Sequence, residues 1–230
     1  MKNSLQYYFE NSKSIKAFAN NYFVYLIDLI RAIDTSTVSA MINEINRADR
    51  NGRIIYFIGN GGSAALASHY ANDLMIGTRA DGHMPIKAVS LTDNQPLITA
   101  LANDEGYDMI FLRQMASVLK EGDVVIALSV SGNSKNVVKA LQYAKLTGAV
   151  TMGITGFDGG QMKEMTDIIL HIPTNNGEYG PVEDIFSIIG HLIYSYLKMN
   201  RRSKDVVSPL IQSASTFRHS NVQSVVMKGR

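Results

Sequence analysis

The chain has 230 residues, 46% of them hydrophobic and 18% charged, which excludes a disordered, collagen-like or low-complexity protein. It has no cysteine, so a disulfide framework, a thiol nucleophile and a thiolate metal site are excluded and any metal must rest on His and carboxylates. A net charge of +2 would suit a polyanion partner, yet six of the 22 basic residues lie from Arg201 onward against one acid, Asp205. The first 200 residues therefore carry −3, and nucleic acid is not an expected partner.

No apolar run approaches the ~18 residues of a membrane span, and the leading MKNSLQYYFENSKS lacks the apolar stretch of a secretory signal. A cytoplasmic protein without membrane contact is expected. Residues from about Ser4 to Arg31 read as one long helix, apolar on two sides through Phe18, Tyr22, Tyr25, Leu26 and Leu29. A second helix follows the Asp34-Thr35-Ser36 cluster, with Val38, Met41, Ile42 and Ile45 on one face. The surplus apolar surface of this pair fits subunit contacts or packing on its own core.

After Gly52 short apolar runs alternate with helical stretches, the pattern of βαβ units around a buried parallel sheet. Strands are expected at Ile54 to Ile58, Lys87 to Leu91, Val124 to Leu128, Thr151 to Ile154 and Ile168 to Ile172. Helices are expected at Ala64 to Met75, Gln95 to Leu101, Tyr107 to Leu119, Ser134 to Leu146 and Val182 to Met199. Five such strands suit a flavodoxin-like α/β sheet in the order 2-1-3-4-5, whose ligand crevice lies at the carboxyl ends of strands 1 and 3.

Both of those strands end in loops that open directly into helices. Gly59-Asn60-Gly61-Gly62-Ser63 follows strand 1, and Ser129-Val130-Ser131-Gly132-Asn133-Ser134 follows strand 3. Glycine turns, hydroxyls and helix N-termini make anion cradles without Lys or Arg. Gly59-x-Gly61-x-x-Ala64 also fits the dinucleotide fingerprint, but Asp93 stands too far along to be the ribose-binding acid. That reading also leaves the second loop unexplained, whereas a phosphate on a small sugar uses both.

FIGNGGSAALASHYANDL together with ALSVSGNS resembles the sugar isomerase (SIS) domain, and specifically the phosphoheptose isomerases, which convert sedoheptulose 7-phosphate to a manno-heptose 7-phosphate. The resemblance spans residues 1–200, leading helices included, and extends to Asn103-Asp104, 26 positions before Ser129. It implies that Asn60, Gly61, Gly62, Ser63, Asn103, Asp104, Ser129, Val130, Ser131 and Ser134 hold the substrate. It also implies Zn²⁺ or another divalent metal, a homotetramer with sites between subunits, and a product destined for a surface glycan such as lipopolysaccharide or capsule.

The family's zinc ligands are a His and a Glu four apart, and a Gln and a His eight apart. The matching positions here are His69, Asp73, Glu183 and His191, so two of the four differ. Each pair shares a helix face, and two imidazoles with two carboxylates suffice for a divalent metal. By transfer, Asp73 is the base that removes the proton next to the carbonyl and His191 the acid that handles the oxygen protons. Asp is one methylene shorter than Glu, so Glu183 stands as a second candidate for base, metal ligand and substrate contact. A non-catalytic SIS protein that binds a sugar phosphate or a replication initiator, and an isomerase of another phosphosugar, are the competing functions.

Blander readings suit the rest. His83 reads as a loop residue and His171 as a strand-end residue; Glu178 and Asp184 offset the dipole of the last helix, with Glu178 close enough to the site to be held in reserve. Residues 201–230 read as a basic tail, expected to be mobile.

Overall fold

A computed structural model describes residues 3–79 and 84–202. His83 and the segment 203–230 lie outside the described residues, and with them most of the expected basic tail.

Five parallel strands, β1 (Ile55–Gly59), β2 (Ala88–Ser90), β3 (Val124–Ser129), β4 (Val150–Thr155) and β5 (Ile168–His171), form one sheet in the order β2-β1-β3-β4-β5. This is the expected order, with boundaries within about two residues. β1 and β3 are buried along their whole length because helices cover both faces of the sheet, which explains their unbroken apolar runs. Ile55 of β1 lies beside Val124 of β3 and Gly59 beside Leu128, so the two glycine- and serine-rich loops leave the sheet side by side.

One face is covered by α3 (Thr35–Arg50), α4 (Gly62–Asn72) and α9 (Tyr179–Arg202), with Met41, Ile45, Phe57, Phe186 and Ile189 in the core. The other carries α6 (Ile110–Val118) and α7 (Lys135–Leu146), packed through Phe111, Met115, Val137 and Leu141. α5 (Gln95–Asp104) and α8 (Gly160–Met165) complete the second face.

Three features depart from the sequence expectation. The leading helix is two helices, α1 (Ser4–Asn11) and α2 (Ile15–Arg31), because the Ser14 side chain accepts a hydrogen bond from the Ala17 N–H and starts a new helix. α8 is too short, at six residues, to leave a periodic signal. The basic tail does not begin at Arg201: α9 runs through Arg202, and the Arg201 guanidinium is buried, pairing with Asp49 at the end of α3 and donating to the Met84 carbonyl.

The second surface of the helical layer remains apolar. Phe23, Ile27 and Ile30 on α2, and Ile188, Leu192, Tyr196 and Met199 on α9, are exposed at helical spacing. Among the described residues, no helix is long and apolar enough to cross a membrane.

Candidate active site

The β1 loop turns at Gly61, whose φ of 54° and ψ of −124° belong to a backbone region that a side chain disfavours. Gly62 then opens α4 with no side-chain cap, and Ser134 precedes α7 with none either. Two helix N-termini therefore face one small cavity of about 140 Å³, lined by Asn60, Ser63, Ser129, Val130, Ser131 and Ser134, with Leu128, Tyr179 and Glu183. No lysine or arginine lines it. What it offers a ligand is hydroxyls, backbone N–H groups and helix dipoles, together with the Glu183 carboxylate. Val130 contributes backbone only, since its side chain is buried in the core and its carbonyl accepts from the Gly156 N–H at 2.9 Å.

Asn103 and Asp104 lie at the end of α5, where the Asn103 amide donates to the Asp104 carboxylate at 2.8 Å. Neither lines the cavity.

Along α4, seven residues beyond Gly62, His69 meets His191 of α9 in the same chain, with the two Nε2 atoms 3.0 Å apart. Asp73 brings a carboxylate oxygen to 3.3 Å from His69 Nε2, so its shorter side chain does reach the pair. At Asp73 the helix widens into a π-helical turn, Asp73–Gly77, closed by the Thr78 N–H donating to the Asp73 carbonyl at 3.1 Å. Such turns recur at functional sites.

One helix crossing sets this geometry. Gly190 precedes His191 and faces the ring of Tyr70, which follows His69; a Cβ at Gly190 would sit 2.3 Å from Tyr70 Cε2. The ring cannot yield, because it is buried and its hydroxyl donates to the Phe186 carbonyl. Gly190→Ala should therefore cost about 1–3 kcal/mol by overpacking. It should also weaken divalent-metal binding by pushing the two imidazoles apart, which thermal denaturation and a zinc titration would read together.

The ligand atoms of His69, Asp73 and His191 all lie within 4.8 Å of one another. Zinc bonds of about 2.0–2.1 Å in a tetrahedral array require ligand atoms roughly 3.3 Å apart; the His69–Asp73 separation is 3.3 Å, the His69–His191 separation is 3.0 Å, and all three atoms lie within 4.8 Å of one another. Two imidazoles and a carboxylate are a donor set that fits a divalent cation.

Glu183 stands apart from these three. Its Cα lies about 12 Å from that of His191 along α9, at 1.5 Å per residue, and its carboxylate lies against Gly62 at the start of α4. A Cβ on Gly62 would be 2.4 Å from Glu183 Oε1, so Gly62 has no side chain because the carboxylate occupies that space. Glu183 thus belongs to the phosphate-sized cavity, where burial, and secondarily the neighbouring Asp184, raise its pKa above the ordinary glutamate value. The candidate role of Glu183 as fourth metal ligand is not met within this chain.

The remaining candidates are structural. His171 Nε2 lies 3.0 Å from the Phe157 carbonyl. Asp184 accepts from the Tyr22 hydroxyl and ties α9 to α2. Glu178 is wholly buried and accepts from the Ser4 N–H, the Tyr25 hydroxyl and Asn175, and it does not line the cavity. Tyr179, which the sequence did not single out, lines the cavity and packs edge-on against Phe157.

A family model of the SIS domain matches residues 21–156. The chain belongs to the SIS-domain family. Among curated members, a phosphoheptose isomerase of Aliarcobacter butzleri is 43% identical over 127 residues, covering 55% of this chain and 67% of that protein. The phosphoheptose isomerase of Chlorobium limicola is 38% identical over 161 residues, covering 70% and 75% respectively. Among solved structures, the phosphoheptose isomerase of Neisseria gonorrhoeae superposes with a TM-score of 0.73 at 25% identity, covering 81% of this chain and all of that one. The SIS-domain fold that the sequence resemblance implied is thus shared with a phosphoheptose isomerase over 81% of this chain.

Proposed function

We propose that this SIS-domain protein is a sugar-phosphate isomerase of the phosphoheptose class, converting sedoheptulose 7-phosphate to D-glycero-D-manno-heptose 7-phosphate through an enediol. The carrying observation is the distance between its two chemical ends. From Gly62 at the anion cavity to His69 the helix rises about 10 Å, at 1.5 Å per residue. A terminal phosphate held at the cavity leaves a carbon chain of heptulose length to bring its carbonyl to His69, Asp73 and His191.

The chemistry then divides between these groups. Asp73 takes the proton from the carbon next to the carbonyl and returns it to the neighbouring carbon. His191 moves protons on and off the two oxygens, the pairing of carboxylate and imidazole that triosephosphate isomerase, a worked case of this logic, also uses. A divalent cation, Zn²⁺ by family resemblance, would be held by His69, Asp73 and His191 and would polarise the carbonyl. Ser63, Ser129, Ser131 and Ser134 hold the phosphate, and Glu183 contacts the substrate at that end. Asn103 and Asp104 are assigned to substrate by resemblance alone.

We further propose a cytoplasmic homotetramer whose neighbours complete the site, with a product used in surface-glycan synthesis. The exposed apolar rows on α2 and α9 support the assembly. A purely binding SIS protein has no need of a carboxylate and two imidazoles arranged at metal-ligand spacing.

Incubation with sedoheptulose 7-phosphate, followed by NMR detection of the aldose, tests the reaction. Turnover that is lost on chelation and restored by zinc is expected. No turnover under either condition, with sugar-phosphate binding intact, would overturn it.

A further inference from the structure

The side chain of Asn60 is spent almost entirely on the protein. Its amide nitrogen donates to Asn136 Oδ1 at 2.9 Å, and its oxygen accepts from Asn136 Nδ2 at 2.8 Å and from the Tyr107 hydroxyl at 2.9 Å. Both lone pairs of that oxygen are used, and one amide hydrogen is left. Asn136 is itself fixed: it is 2% exposed, and its oxygen also accepts from the Val137 N–H at 3.0 Å.

The three residues come from three different elements of the site. Asn60 sits in the β1 glycine turn, Asn136 in the first turn of α7 immediately after the serine loop, and Tyr107 in the connection that follows Asn103-Asp104. The two loops around the cavity have no strand pairing with each other beyond Gly59 and Leu128. A reciprocal amide pair is therefore the direct polar link between them, and the tyrosine ties in the third segment.

We infer that Asn136 and Tyr107 are positioning residues that act through Asn60, holding the glycine turn, the serine loop and the Asn103-Asp104 segment at the spacing a phosphate needs. This rests on the sugar-phosphate reading of the cavity. An anion bound by oriented N–H and hydroxyl donors, with no mobile cation to adjust, is sensitive to that spacing. The effect falls on binding of the phosphate end and not on proton transfer about 10 Å away, again at 1.5 Å per residue of α4.

The test is a double-mutant cycle read by inorganic phosphate affinity, with sugar-phosphate KM and kcat measured alongside. Tyr107 is 57% exposed, so Tyr107→Phe removes one hydroxyl without threatening the fold. It should weaken phosphate binding and raise KM roughly fivefold, the loss of one ordinary hydrogen bond, with kcat held. In an Asn60→Ala background the same change should have no further effect. Asn136→Ala should follow the same pattern with a larger loss, and zinc content should not change in either variant.

A Tyr107→Phe effect of equal size in both backgrounds would show that Tyr107 touches the ligand itself and would overturn the inference, as would no effect in either. A drop in thermal stability with phosphate affinity intact would reduce Asn136 to a core residue. Wild-type turnover reports the isomerase reading separately, since phosphate binding by the variants does not depend on which sugar is converted.

Discussion

Asp73→Asn should lower proton exchange at the carbon next to the substrate carbonyl by roughly 10³-fold, whereas Glu183→Gln should leave that exchange within about tenfold of the parent enzyme. The two carboxylates are the candidate bases, and they lie at opposite ends of α4. Asp73 lies 3.3 Å from His69 Nε2, beside His191. Glu183 lies over Gly62 at the phosphate end. A base must come within hydrogen-bonding distance of the carbon-bound proton it removes, and of the two carboxylates Asp73 is the one grouped with His191, the imidazole proposed to serve the oxygens.

Glu183→Gln should instead act on KM. Burial holds the Glu183 pKa above the ordinary glutamate value, and an ionised carboxylate facing a bound phosphate dianion is repulsive, so the neutral amide should change affinity for the phosphate end. Solvent-deuterium incorporation under single-turnover conditions separates the two residues. Full exchange in Asp73→Asn, or its loss in Glu183→Gln, would exchange their roles. Because Asp73 is also a candidate metal ligand, zinc content is measured in the same samples so that a rate loss is assigned at constant occupancy.

The strand order was legible because fully buried parallel strands leave unbroken apolar runs, and the two loops because glycine and serine clusters stood directly between a strand and a helix. The break at Ser14 was written as a capping residue, but apolar residues on both sides of it masked the signal. Periodicity carries no trace of the π-helical turn at Asp73, which sits where Gly77 comes against the Tyr194 ring on α9. Spacing placed Glu183 and His191 on one face of α9 but could not say which way the glutamate would lean. The burial of Arg201 and Glu178 leaves no local sequence signal, for a single reason. Each is a charge whose partner lies more than 150 positions away, Asp49 in one case and Ser4 and Tyr25 in the other.

Glu178→Gln should destabilise the protein by about 3 kcal/mol, the scale of breaking a buried, multiply bonded carboxylate. Glu178 is fully buried, and no cation is among its hydrogen-bond partners; its charge is held by donors alone. Burial by itself would raise its pKa, but hydrogen bonds from the Tyr25 hydroxyl, the Ser4 N–H and Asn175 outweigh burial and hold it below the ordinary glutamate value. Its stabilisation is accordingly complete above the unfolded-state pKa and is lost as the pH falls through the lower folded-state value. Glutamine presents an NH₂ group to these same donors, so at least one contact turns into a donor facing a donor.

The readout is the urea midpoint as a function of pH. In the parent the midpoint should fall through the acid range, and in Glu178→Gln it should start lower and depend less on pH there. An unchanged midpoint at neutral pH would show that the Glu178 hydrogen bonds do not hold α1 and α2, leaving apolar packing and the Tyr22–Asp184 hydrogen bond to do so. The consequence reaches the site, because Tyr179 follows Glu178 directly and lines the anion cavity. The glutamate that pins α1 and α2 to the start of α9 thereby also fixes one wall of the cavity proposed to hold the phosphate.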